Sequence, residues 1–110
     1  MAMLHCEQTK PTLVKMAAEM RGLLAGVERG YVHRLLFGGL HLALERNGRQ
    51  WRMAIARERR IPSVREREVV ARDFNLPVGV EWTVTERAAR GRKFRPGAKL
   101  WVAECRWREE

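Results

Sequence analysis

Alternating apolar and polar positions stand out most clearly between residues 40 and 57, on both sides of the dipeptide Asn47-Gly48. Asn-Gly is typical of two-residue type I′ turns, because both central residues of that turn need a positive φ. The pattern therefore predicts a β-hairpin that turns at Asn47-Gly48. The register that follows pairs Arg46 with Arg49, Leu44 with Trp51, Leu42 with Met53 and Leu40 with Ile55.

The predicted hairpin has two chemically different faces. One face carries the apolar side chains of those pairs and is predicted to lie on the core, since a one-residue slip would turn all of them to solvent. The other face is small or polar and is predicted to be solvated or thinly covered. It holds His41, Ala43, Glu45, Gln50, Arg52 and Ala54.

A first helix is predicted between Pro11 and Gly30, where apolar residues recur at the three- and four-residue spacing of a helix buried along one side. Thr12 is its predicted N-cap, and Gly30 suits its C-terminal cap. The predicted buried stripe is Leu13, Met16, Met20, Leu23, Leu24 and Val27.

A second helix is predicted after Pro62, where Ser63 and Glu66 have the spacing of a capping box. In that arrangement each side chain bonds to the backbone N–H of the other residue, which favours a helix start at this point. The sequence Asn75-Leu76-Pro77 then ends the helix. Its predicted buried stripe is Val64, Val70, Ala71 and Phe74.

Three further strands are predicted, over residues 31–37, 80–86 and 99–107, and the alternative for residues 31–37 is a continuation of the first helix. The element order is then α-β-β-β-α-β-β, which is typical of an α+β fold with a small antiparallel sheet packed against two helices in two layers. Residues 11–110 are predicted to form this single domain and residues 1–10 a flexible N-terminus. The unpaired edge strands of such a sheet favour a homodimer. In the last strand, the predicted core face holds Trp101, Ala103, Cys105 and Trp107.

The composition narrows the class of protein. Among 110 residues, 22 are basic and 13 acidic, so the formal net charge is +9, while an apolar share of 45% excludes disorder by composition. No apolar run reaches the roughly 20 residues of a membrane span, and no signal-peptide pattern is present, which predicts a cytoplasmic protein. Cys6 and Cys105 lie far apart, and we expect free thiols, with Cys105 buried.

The basic residues concentrate in two segments. Residues 87–99 contain six cations and no acid, and a basic loop with one aromatic residue can follow a phosphate backbone and stack on an unpaired base. The alternative is a solvated hairpin tip. The predicted contacts in this loop are Arg87, Arg90, Arg92, Lys93, Phe94, Arg95 and Lys99. Those of the hairpin and its exit are Arg46, Arg49, Arg52, Arg57, Arg59 and Arg60.

Catalytic patterns are missing from the sequence. It has no Gly-x-Ser-x-Gly, phosphate-loop or His-Glu-x-x-His sequence, and Ser63, its only serine, is accounted for as a helix cap. Cysteine and histidine residues lack the paired short spacing of structural zinc sites. We therefore predict a protein that is not an enzyme and that has no cofactor and no metal.

The segment from Trp51 to Phe74 combines a strand that begins with Trp and ends with Arg57 and a helix that follows Pro62-Ser63-x-x-Glu66. In this it resembles small uncharacterised proteins of bacteriophages and high-GC bacteria. The resemblance covers residues 51–75 and implies no activity, but it implies a phage or mobile-element origin.

Two functions follow from the charge and the arginine placement. The leading hypothesis is a domain that binds DNA or RNA backbone through the loop and hairpin arginines, because arginine forks onto phosphates. The alternative is a phage-encoded or mobile-element interaction module or inhibitor, which docks on an acidic or nucleic-acid-binding host protein. A high-GC genome would also enrich arginine, which supplies 18 of the 22 basic residues.

Overall fold

The computed structural model describes residues 9–36, 38–89, 94–95 and 97–109. Most of the segment predicted to be flexible, residues 1–10, lies outside these ranges. In the described part of the chain, no helix combines the length and apolar character needed to cross a membrane. The elements in chain order are α1 (Thr9–Leu24), β1 (Arg29–Leu35), β2 (His41–Asn47), β3 (Gln50–Arg57), α2 (Val64–Asp73), β4 (Thr83–Ala88) and β5 (Lys99–Arg108).

The five strands form one antiparallel sheet in the order β1-β2-β3-β5-β4. The predicted α+β architecture and its element order are therefore confirmed. Strand β5 lies between β3 and β4, which leaves β1 and β4 as the two edges. Both helices pack on one face of the sheet, because the buried residues of α1 and α2 join one core with the strand residues of that face. Within the described ranges, no helix packs on the opposite face.

The predicted type I′ turn and its register are wrong. Asn47 lies within β2 and pairs with Gln50, so the loop is Gly48-Arg49, and Gly48 has a φ of +63°. A positive φ at the first central position alone is the requirement of a type II′ turn. Asn47 pairs with Arg29 of β1 as well as with Gln50, and its Oδ1 accepts a hydrogen bond of 3.1 Å from Arg29 Nε. The true pairs include Leu44 with Met53 and Leu42 with Ile55, and each residue keeps its predicted face.

The helix α1 is shorter than predicted and differs in part of its buried stripe. It begins at Thr9 and ends at Leu24, and Gly26, with a φ of +78°, follows as the left-handed residue. Gly30 belongs to β1 and is not the cap. Leu23 is 53% exposed and Val27, which lies beyond the helix, 40%. The fully buried side of α1 is Ala17, Met20 and Leu24.

The capping box of α2 is confirmed. Ser63 Oγ accepts from the Glu66 backbone N–H at 3.1 Å, and the Ser63 N–H donates to Glu66 Oε1 at 2.9 Å. Val70 and Phe74 are buried as predicted, whereas Val64 is 59% exposed. Val64 precedes Val70 by six positions, which places it about 240° around the helix and away from the sheet.

The last two strands lie close to their predicted residue ranges. The strand β4 begins at Thr83, later than predicted, and Val80 and Trp82 pack against the core ahead of it. In β5, Cys105 is buried, and burial raises the pKa of its thiol to about 12. Trp107 stacks on Trp51, with 6.2 Å between the ring centroids.

Candidate nucleic-acid interface

The sheet surface opposite the helices is called here the helix-free face. Residues paired across an antiparallel sheet project to the same side, so the register defines this face row by row. Arg29 lines up with Asn47, Gln50 and Arg108; Tyr31 with Glu45, Arg52 and Arg106; His33 with Ala43, Ala54, Glu104 and Thr83; Leu35 with His41, Ala56, Val102 and Thr85; and Leu100 with Arg87.

Positive charge dominates this face. Its members include five arginines and only two glutamates, and four of the five arginines are exposed. The acidic side chains are also engaged by arginine, so they offer little repulsion to an incoming anion. The arginines are Arg29, Arg52, Arg87, Arg106 and Arg108.

The carboxylate of Glu104 is the centre of an ion-pair network across four strands. Arg52 Nη1 donates to Glu104 Oε2 at 2.7 Å and Arg87 Nη2 to Glu104 Oε1 at 3.2 Å, while Arg52 Nε donates to Glu45 Oε1 at 3.1 Å. Burial alone would raise the pKa of Glu104, but the hydrogen bond from Arg52 and the charges of Arg87, Arg52 and Arg106 hold it below its ordinary value. Arg52 and Arg87 therefore act first as structural cations of the sheet.

Three other arginines of the face are more open to a ligand. Arg29 Nε bonds to the neutral Asn47, and its side chain has no acidic partner in the described part of the chain. Arg106 and Arg108 are exposed on β5, and within the same described ranges neither forms an ion pair. Arginine with an accessible guanidinium can bind a phosphate through two parallel hydrogen bonds. These three residues are called the open arginines below.

The aromatic residue of the predicted basic loop lies on the sheet. The Phe94 ring is 5.3 Å from the His41 ring between centroids, and His41 in turn stacks on His33 at 5.3 Å. His33 Nε2 and His41 Nδ1 share a hydrogen bond of 3.1 Å. Because His41 belongs to β2, Phe94 reaches over the helix-free face from the connection between β4 and β5. Arg90, Arg92 and Lys93 lie outside the described residues, and Arg95 is exposed.

Arg46 of the predicted hairpin site lies on the helix side of the sheet. Its Nη1 donates to the Leu24 carbonyl at 3.0 Å, where it caps the last turn of α1, and its Nε donates to the Gly48 carbonyl at 2.9 Å. The guanidinium also lies 5.1 Å from the Trp51 ring centroid and 3.3 Å from Glu109 Oε2. Arg46 therefore joins the helix, the hairpin and the end of the chain.

Arg57 and Arg60 are held by Glu66 of α2. Arg57 Nε donates to Glu66 Oε2 at 2.7 Å, and Arg60 Nη1 donates to Glu66 Oε1 at 2.8 Å. Arg57 also donates to the Gly38 carbonyl at 2.7 Å. Together with Arg59 and the turn before β2, they line a cavity of about 500 Å³. These contacts fix the exit from β3 to the start of α2.

The two predicted basic segments do not form one continuous surface. Arg52 and Arg87 meet at Glu104 on the helix-free face, but Arg46 and Arg57 point to the other side. Lys99 also lies on the helix side, 3.5 Å from Glu86 Oε1. Arg49 and Arg59 are exposed in the connections that flank β3.

The predicted site left out the open arginines and Tyr31. Strand alternation carried the signal for two of them, because Trp101, Ala103, Cys105 and Trp107 were predicted to form the core face of the last strand, so the residues between them, such as Val102, face the other way. Continuing that alternation puts Arg106 and Arg108 on the same side as Val102. Charge density alone favoured the loop instead.

Glu66 provides a pH-dependent test of the second basic cluster. Burial alone would raise its pKa, but hydrogen bonds from Arg60, Arg57 and the Ser63 backbone hold it at about 2. A carboxylate with a lowered pKa stabilises the fold above its unfolded-state pKa and loses this contribution as the pH falls. We expect Glu66→Gln to lower the free energy of unfolding by about 1–2 kcal/mol near pH 7, after allowance for solvent screening.

Urea denaturation at a series of pH values from neutral to acid checks this expectation. The difference between wild type and variant should shrink as the pH falls from about 5 towards 2, because the wild-type carboxylate becomes protonated there. A difference that stays constant over this window would contradict the assignment of Arg57 and Arg60 to Glu66.

Comparison with protein-family models, with curated proteins and with solved structures found no match. Within the described residues, no three His, Cys, Asp or Glu side chains stand close enough to hold a metal ion. The case for a function therefore depends on the geometry and charge of the helix-free face.

Proposed function

We propose that this chain is a non-enzymatic domain that binds nucleic acid through the helix-free face, with the open arginines on phosphate groups. The observation that carries the proposal is the position of Arg29, Arg106 and Arg108 on one face of the sheet, exposed and without ion pairs in the described part of the chain. An excess of guanidinium groups on one surface favours an anionic polymer over a neutral partner.

The ion-pair network at Glu104 supports this proposal. Each acid of the face is already bound to arginine, so the face keeps a positive potential while its centre stays rigid. Contacts of this kind go to the backbone of the nucleic acid and carry little information about base sequence. We therefore expect binding that depends strongly on salt and weakly on sequence.

The basic loop between β4 and β5 lies at the end of the helix-free face away from the open arginines and supports the same proposal. Phe94 contacts His41 on the helix-free face, and Arg95 follows it with an exposed side chain. We propose that Arg87 and Arg95 extend the phosphate-binding surface beyond the row of Leu35 and His41.

The test is fluorescence anisotropy of labelled RNA and DNA oligonucleotides, each titrated with the full chain over a salt series. Arginine-dominated binding predicts micromolar or tighter dissociation constants at about 50 mM salt and a steep loss of affinity by about 200 mM. Absence of binding to every oligonucleotide at the lowest salt would refute the proposed function.

A protein partner is the second candidate, and one surface on the helix side favours it. Ile61 and Val64 are about half exposed and Val78 is fully exposed. Val64 and Val78 also line a groove of about 440 Å³ together with Trp82 and Val80. Exposed apolar surface next to arginine is typical of protein interfaces. This is the alternative of a phage-encoded or mobile-element module that docks on a host protein.

The two candidates respond differently to nuclease. A host protein that co-purifies after complete nuclease digestion, and then binds the purified chain in a defined ratio, supports the second candidate. Loss of that co-purification on digestion, together with direct oligonucleotide binding, supports the first.

A further inference from the structure

Tyr31 is an exposed aromatic side chain among the arginines of the helix-free face. It is 57% exposed, follows Arg29 by two positions on the edge strand β1, and shares a row with Arg106. A tyrosine that packed into the core would lose most of its exposure, as the core residues do. Its flat ring is therefore available to a ligand that also contacts the arginines.

We infer that the helix-free face binds single-stranded nucleic acid, with an unpaired base stacked on Tyr31 and phosphates on the open arginines. This inference rests on the proposed function and names its substrate class. Stacking on an exposed aromatic ring needs a base face that is not covered by neighbouring bases, and duplex bases are covered on both sides. Proteins that bind single strands usually combine cations that contact the nucleic-acid backbone with exposed aromatic rings on which bases stack.

The rest of the face fits a single strand better than a duplex. A duplex would also offer phosphates to the open arginines, but its stacked bases could not use the Tyr31 ring. The two helices of the described ranges lie on the opposite side of the sheet, and Phe94 lies against His41, so none of these elements projects towards a duplex groove. The centre of the face is a small buried cluster of Ala54, Ala56 and Val102, so the exposed surface for a strand lies at the end of the face that holds Tyr31.

The spacing of the charged and aromatic groups suits a short stretch of strand. Arg29 and Tyr31 are same-side neighbours on β1, about 7 Å apart along the strand. Tyr31 and Arg106 stand three strands apart in one row, which separates their backbones by about 14 Å. A base on Tyr31 therefore has one phosphate contact beside it and a second across the sheet.

The experiment compares Tyr31→Ala with a matched control on the same strand and face, Leu35→Ala, since Leu35 is 56% exposed. The probes are a labelled single-stranded RNA, a single-stranded DNA, the duplex of that DNA and an abasic oligonucleotide of equal charge. Circular dichroism and thermal unfolding of each variant show that the fold is retained. Tyr31→Phe keeps the ring and tests whether stacking alone accounts for the effect.

We expect wild type to prefer single strands to the duplex, and Tyr31→Ala to weaken single-strand binding about ten-fold. Tyr31→Phe and Leu35→Ala should bind within about two-fold of wild type, and the abasic probe should not distinguish Tyr31→Ala from wild type. The salt dependence should be unchanged in Tyr31→Ala, because no phosphate contact is lost.

Two results would overturn this inference while the proposed function stands. One is duplex binding as tight as single-strand binding, and the other is single-strand affinity that Tyr31→Ala leaves unchanged. No binding to any of the four probes would overturn the inference and the proposed function together.

Discussion

Replacing the open arginines together, as Arg29→Gln, Arg106→Gln and Arg108→Gln, is expected to weaken oligonucleotide binding by about 100-fold at low salt. Each of these side chains is exposed, lacks an acidic partner in the described part of the chain, and lies on the helix-free face. Removing them leaves the hydrogen bonds that Arg52 and Arg87 donate to Glu104 and takes away only the longer-range charge of Arg106, so the fold should keep most of its stability. Fluorescence anisotropy measures the affinity, and urea denaturation checks the stability.

A control variant distinguishes the effect on affinity of where the positive charges lie from the effect of the total net charge. This control also removes three positive charges, but from the exposed surfaces of α1 and α2, by the substitutions Lys15→Gln, Arg65→Gln and Arg72→Gln. We expect this variant to lose less than about five-fold in affinity, because those charges act on the ligand only at long range through screening salt. Equal losses in the two triple variants would mean that total charge, and not the helix-free face, determines binding.

The largest expected effect on stability comes from Phe74→Ala. Phe74 closes α2 and is fully buried between the helices and the sheet. Truncating it removes the transfer free energy of the ring and leaves a cavity, for a loss of about 3–5 kcal/mol in the free energy of unfolding. That is a large part of the total stability of a domain this size, which is about 5–15 kcal/mol.

Val64→Ala on the same helix is the matched control for Phe74→Ala. The sequence pattern of α2 predicted Val64 to lie in the buried stripe, but in the structure its side chain is 59% exposed. We therefore expect a loss below about 0.5 kcal/mol by urea denaturation. A loss comparable to that of Phe74→Ala would show that Val64 is buried after all.

Much of the fold could be predicted because each element has a local signal. The capping box of Ser63 and Glu66 predicts the start of α2. The alternation of apolar and polar residues on both sides of residue 48 predicts β2 and β3. The exact turn could not be predicted, because Asn47 lies within β2, where it pairs with Arg29 of β1, 18 residues away in sequence. Such a tertiary contact leaves no trace in a local pattern.

The candidate site was harder to predict for the same reason. Charge density selected arginines such as Arg46 and Arg57, but these bind the Leu24 carbonyl and Glu66 and hold the fold together. Whether an arginine is free to bind a ligand depends on which carboxylates lie near it in the folded structure. The +9 net charge predicted an anionic partner, and the sheet register identifies the surface that best fits it.

The salt dependence of single-strand binding, compared between wild type and the variant lacking the open arginines, tests the central claim most directly. If Arg29, Arg106 and Arg108 each bind one phosphate, the slope of log affinity against log salt should become shallower by about 2 in the triple variant. The control variant on α1 and α2 should keep the wild-type slope. A triple variant with the wild-type slope would contradict the assignment of phosphate binding to the helix-free face.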